Sequence, residues 1–110
     1  MKAKVLFREA ALRDVEGILD ALAASGPGTA ERFASALERG VRRLSEHPEI
    51  GHPLPFRRTS LRGWRSWPVP GFPSHLVLHL PSGMSVTVLR VLHGARDPRG
   101  LLEEGGRSGS

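Results

Sequence analysis

The chain has 110 residues, one domain's worth, with 39% hydrophobic residues, 25% charged residues and no cysteine. These are ordinary globular values, and they argue against a disulfide-stapled secreted scaffold. No run approaches the ~18 apolar residues of a membrane span, and no apolar stretch follows the basic start Met1-Lys2-Ala3-Lys4, so neither membrane nor signal peptide is expected and a cytoplasmic location is. The net charge is +5, unevenly placed. Residues 1–54 carry eight Lys/Arg against eight Asp/Glu, whereas residues 55–110 carry eight Arg against Asp97, Glu103 and Glu104. Guanidinium groups suit bidentate capture of carboxylates and phosphates, so the second half predicts an anionic partner, either nucleic acid or an acidic protein segment.

Residues 3–7 form a short apolar run that predicts a first strand. From Glu9 the period changes. Leu12, Val15, Leu19 and Leu22, with Ile18 beside them, predict an amphipathic helix with Asp14, Glu16 and Asp20 largely on its other side. Ser25-Gly26-Pro27-Gly28 stops it. A second helix is predicted from Gly28 or Thr29, with Phe33, Leu37, Val41 and Leu44 facing the core and Ala30, Ala34 and Ala36 as small packing positions. It ends by His47, because Pro48 disfavours helical geometry in the residue before it. Glu31 in its first turn and Arg42 and Arg43 in its last suit the helix dipole.

Residues 48–63 read as a long irregular connection. Strands are then predicted at Trp64–Val69, Ser74–Leu80 and Met84–Leu92, the last two joined through Pro81-Ser82-Gly83 as a hairpin. In the middle strand Leu76, Leu78 and Leu80 are expected to face the helices, leaving His75, Val77 and His79 on the opposite, polar face. Leu101-Leu102 suggest a short terminal helix, and 105–110 a disordered polar tail after a single domain spanning 1–104. The expected fold class is α+β: a first strand and an α-hairpin packed on one face of a small, mostly antiparallel sheet.

Three segments carry a resemblance. His47-Pro48-Glu49-Ile50-Gly51-His52-Pro53 resembles the stretch after the second helix in ParE-like toxins. Leu61-Arg62-Gly63-Trp64-Arg65-Ser66-Trp67-Pro68-Val69 resembles their next strand. Val88-Leu89-Arg90-Val91-Leu92-His93-Gly94-Ala95-Arg96-Asp97 looks like their closing strand and turn. The chain thus resembles the RelE/ParE toxin superfamily, on its ParE side, over residues 3 to about 102. The resemblance implies a toxin neutralised by a cognate antitoxin in a hetero-oligomer, with DNA gyrase as target and inhibition by binding. The alternatives are a RelE-like, ribosome-dependent mRNA endonuclease, and a decayed toxin that only binds antitoxin. The middle strand departs from the family's usual Tyr-x-x-x-Tyr-Arg: it has His75, His79 and Leu80 at those positions.

Candidate site residues follow. RNA cleavage through the 2′-hydroxyl needs a base, a general acid and a cation, which His75, His79, His93 and Arg96 would supply. Arg57, Arg58, Arg62 and Arg65 are the densest basic cluster. With Trp64, Trp67, Arg90 and Arg96 they are the candidate contacts to target or antitoxin. Trp64 and Trp67, three apart on a strand, face opposite sides, so one is expected in the core and the other exposed as an interface anchor. His75 and His79 would lie about 13 Å apart along a strand, too far to share a metal, and neither a metal nor a cofactor is expected.

Overall fold

A computed structural model describes residues 2–54 and 63–93. Among the described residues, two helices and five strands follow in the order β1 Lys4–Phe7, α1 Glu9–Ser25, α2 Thr29–Glu46, β2 His52–Pro53, β3 Arg65–Val69, β4 Phe72–Ser82 and β5 Ser85–His93. The strands form one sheet in the order β1-β5-β4-β3-β2. β1 runs parallel to β5, and every other pairing is antiparallel. The α-hairpin lies on one face, so the expected α+β class stands.

Both helices begin and end where the stop signals put them. Gly28 sits at φ +76°, a left-handed conformation that suits glycine and lets the chain reverse between the helices. The apolar stripe of α1 is shifted from the one expected. Ala11 is sealed at 0% exposure, while Leu12 is 55% exposed. Ala11, Val15, Ile18 and Leu22 recur at four, three and four, so they share a stripe that Leu12, turned about 100° from Ala11, leaves. The small Ala11 also lets the start of the helix lie close to the core.

Along α2, Phe33, Ala36, Leu37, Gly40 and Leu44 are buried, with Val41 at the margin of the core. Gly40 makes room for β3: a Cβ there would lie 2.1 Å from Cη2 of the Trp67 indole. Close packing of an aromatic against the helix requires this backbone-only position.

The connection after α2 is more ordered than expected in one place. His52 pairs with Ser66 and Pro53 with Arg65, so a two-residue strand caps the sheet edge. Gly51 precedes it at φ +90°, where a Cβ would meet the Ser66 carbonyl oxygen at 2.1 Å. β4 extends beyond Ser74–Leu80 at both ends, and the Ser82–Ser85 pair closes its turn to β5 through Gly83 and Met84.

The two faces of β4 are opposite to expectation. Val77 joins Trp67, Val69, Val86, Val88 and Val91 in the core under the helices. Leu78 instead packs with Trp64 and Leu89 in a second cluster, flanked by Leu54, Leu80 and Leu92. Strand alternation fixes which residues share a face but not which face meets the helices. A central strand that is buried on both sides reads as apolar on both, so the leucines gave no direction.

A bulge lets β5 serve both clusters. Leu78 pairs with Arg90 and His79 with Val88, which leaves Leu89 as an extra residue. Val86, Val88 and Val91 therefore all reach the helix-side core, although the last two are three apart, and Leu89 enters the other cluster.

Candidate functional site

The two imidazoles of β4 are interior groups. His75 is 6% exposed and His79 is 0% exposed. The expectation that they line an open polar face is corrected by the reversal of β4: they turn with Val77 toward the helices. The His75 ring is tilted against Phe33 at 4.9 Å between centroids and meets Phe72 edge-on at 5.9 Å. On its other side it stacks on His93, with centroids 4.2 Å apart and planes within 13°. This is an aromatic packing arrangement, built by α2, the start of β4 and the end of β5. Burial, and then the neighbouring His93, hold His75 below the usual histidine pKa.

His79 is anchored differently. Its Nε2 lies 3.1 Å from the Pro48 carbonyl, so the neutral tautomer that donates from Nε2 ties β4 to the segment leaving α2. Burial pushes its pKa down to about 4. The Pro48 bond opposes that shift, and the nearby Arg65 guanidinium adds to it. Among the described residues, nothing hydrogen-bonds Nδ1 of either histidine. A neutral imidazole tolerates one bare acceptor in an apolar site better than an imidazolium tolerates a bare donor.

Both tryptophans are buried, Trp64 at 8% and Trp67 at 5% exposure. They face opposite sides as expected, but the exposed interface anchor is corrected. The sheet carries an apolar cluster on each face, and each cluster takes one indole.

Arg65 and Arg90 are committed to internal bonds. Nη2 of Arg65 donates to the Gly51 carbonyl at 3.0 Å, and Nε reaches that of Ile50 at 3.5 Å, pinning the loop before β2. Arg90 forks onto Asp14 of α1, with Nε to Oδ2 at 2.7 Å and Nη2 to Oδ1 at 2.9 Å. The Val91 N–H also donates to Asp14 Oδ2, at 3.0 Å. The hydrogen bonds to Asp14 raise the Arg90 pKa further. These bonds use Nε and Nη2 of each guanidinium, and the Arg90 side chain stays 36% exposed. His93 remains exposed, over the inner His75. The candidates Arg57, Arg58, Arg62 and Arg96 lie outside the described residues, as do the terminal helix at Leu101-Leu102 and the 105–110 tail.

Asp14 is the residue that sequence reasoning missed. It was grouped with the outward acids of α1, yet its side chain is only 16% exposed. A signal was present: Asp14 lies three residues after Ala11 and four before Ile18, along the buried stripe rather than opposite it.

The fold has solved counterparts. A chain described as "Chromosomal ParDE TA system from P. aeruginosa" superposes with a TM-score of 0.66 at 17% identity, covering 84% of this chain and 97% of that one. The "YoeB/ParE toxin from Agrobacterium tumefaciens" does so at 0.57 and 17% identity, covering 82% and 96%. Among curated proteins, none matches. The architecture is therefore that of the small α+β toxins of toxin–antitoxin systems. The family model for the ParE toxin of the type II toxin-antitoxin system parDE matches residues 5–98. The chain belongs to this ParE toxin family, and the family implies an antitoxin partner.

Proposed function

We propose that this toxin acts by binding and inhibiting DNA gyrase, without cleaving RNA. One observation carries the reading: the imidazoles at the two aromatic positions of β4 are packed inside the fold. A general acid or base must reach the proton it transfers. His79 is sealed, neutral near pH 7 and bonded to Pro48, and His75 is enclosed by Phe33, Phe72 and His93. The RelE-like alternative loses two of its four candidate groups in this way. Inhibition by binding asks for no such set, and the family membership supports the ParE activity over the nuclease one.

Two assays with purified toxin separate the readings. Gyrase supercoiling is followed with toxin in excess, and programmed ribosomes are probed for cleaved mRNA. Loss of supercoiling with intact mRNA supports the proposal. Cleaved mRNA with unaffected gyrase overturns it in favour of the nuclease. Inhibition of neither overturns it in favour of a toxin fold that only binds its antitoxin.

A further inference from the structure

The charges of α2 are sorted around its axis. At about 100° per residue, Arg39 and Arg43 lie within about 20° of Arg32, so the three form one straight stripe. At ~1.5 Å per residue it is roughly 16 Å long. Glu31, Glu38 and Arg42 lie about 80–120° away around the helix. Phe33, Leu37 and Leu44 face the core, and Arg32, Arg39 and Arg43 are all exposed.

Among the described residues, no carboxylate pairs with any of these three arginines, whereas Arg42 is bonded to Glu38 at 2.7 Å and Arg13 is bonded to Glu9. Arg32 donates from Nη2 to the neutral Thr29 hydroxyl at 3.2 Å. The stripe runs through two shallow hollows that meet at Arg39. One lies between the helix and the turn at Pro70-Gly71, and the other is bounded by Arg43, Glu46 and His47. Glu46, seven residues after Arg39, is in line with the stripe and ends it.

The surroundings narrow the kind of anion. A protein partner needs an apolar anchor, and the exposed large apolar side chains among the described residues, Leu6, Leu12 and Met84, all lie off this helix. A single strand needs aromatic faces on which to stack its bases. The chain has no tyrosine and buries both tryptophans, and Phe72 beside the hollow packs edge-on against Phe33. The stripe therefore offers guanidinium groups alone, which grip phosphate oxygens as a fork. Duplex DNA presents a phosphate about every 3.4 Å of axis on each strand, so a rigid stripe of this length meets one backbone at several points. Contacts to phosphate carry no sequence information directly.

We infer that the flank of α2 bearing Arg32, Arg39 and Arg43 binds the phosphate backbone of duplex DNA, independently of sequence. The inference deepens the gyrase reading, on which its setting rests: the DNA that the enzyme holds becomes a second surface for the toxin, beside the enzyme itself. Each arginine neutralises a phosphate and releases its counterions, which makes the binding salt-dependent.

The test uses the full chain and a short fluorescent DNA duplex of mixed sequence, followed by anisotropy without gyrase. Arg39→Gln/Arg43→Gln is expected to weaken binding roughly tenfold at low salt, and to make the slope of log affinity against log salt shallower by about 1.8, at ~0.9 per phosphate. Glu46→Gln removes the acid in line with the stripe and is expected to strengthen binding. Arg13→Gln, on α1, is expected to leave it unchanged. All these changes put a good helix former at an exposed helix position, so folding is retained. No binding by the parent chain, or equal binding by parent and double variant, overturns the inference. A strong preference between two unrelated duplex sequences overturns it too, as does tighter binding of the corresponding single strand. Displacement of the duplex by poly-glutamate at equal charge also overturns it, making the stripe a site for an acidic protein. Supercoiling is a separate readout. Loss of gyrase inhibition with intact DNA binding overturns the proposed target alone, and DNA binding that ignores the variants overturns this inference alone.

Discussion

Asp14 completes the sheet where β1 stops. β1 pairs with β5 only as far as Val88, and three residues later the Val91 N–H, on a strand bent by the Leu89 bulge, donates to the Asp14 carboxylate instead of to a strand. The same carboxylate receives the Arg90 fork. One side chain on α1 therefore fixes the helix against the sheet and satisfies a backbone donor.

This arrangement is asymmetric under mutation. Asp14→Ala strands a backbone donor and a half-buried guanidinium together, and is expected to destabilise by about 2–3 kcal/mol. Arg90→Ala leaves Asp14 bonded to Val91 N–H and partly reachable by water, so about 1 kcal/mol is expected. Urea unfolding of both variants checks the order. A larger loss for Arg90→Ala would show that the backbone bond contributes little.

Gly40→Ala drives a methyl into the Trp67 indole and is expected to cost about 2–3 kcal/mol, large for one methyl on a helix that would otherwise favour alanine. Trp67→Phe removes the offending ring atoms. In that background the same Gly40→Ala change is expected to cost under about 1 kcal/mol. Thermal unfolding of the two single variants and the double variant measures the coupling.

Stability should fall in acid through the buried imidazoles. His79 binds protons at about pH 4 when folded and near pH 6.5 when unfolded, so the unfolded state takes up more protons between those values. The contribution of the neutral ring is complete above pH 6.5, declines as pH falls, and is gone below about 4. Its size is on the order of 3 kcal/mol. His75, with its pKa also lowered, acts in the same direction. Unfolding free energies of His79→Leu at pH 7 and pH 4.5 should differ less than those of the parent chain.

His75→Phe keeps the aromatic packing against Phe33 and Phe72 and removes the titratable ring. Growth arrest on expression without antitoxin is expected to persist at parental strength, because no proton transfer is assigned to this position. Loss of toxicity from a variant that folds with normal stability would return His75 to a catalytic role.

The helical hairpin and its ends were legible because helix periodicity and the Gly-Pro-Gly stop are local signals. The family resemblance was legible too, since the ordered segments at 47–53, 61–69 and 88–97 lie within the matched range. The place of Asp14 on the buried stripe of α1 could be read, but its role could not, because that depends on a strand 76 residues away. His75 and His79 were misplaced for a related reason. Alternation groups them with Val77 but says nothing about which face of the sheet the hairpin covers.

The sequence by itself thus determined the helices, the alternation along β4, the charge asymmetry and the family. Only the tertiary structure decided which face of β4 meets the helices, where the bulge resets β5, that both indoles are interior, and which internal partners Arg65 and Arg90 bond. The first set follows from periodicity and from contiguous motifs, which are properties of neighbours along the chain. The second follows from burial on both faces of a sheet and from contacts between distant segments, where the same apolar residue satisfies either side until the whole core is assembled.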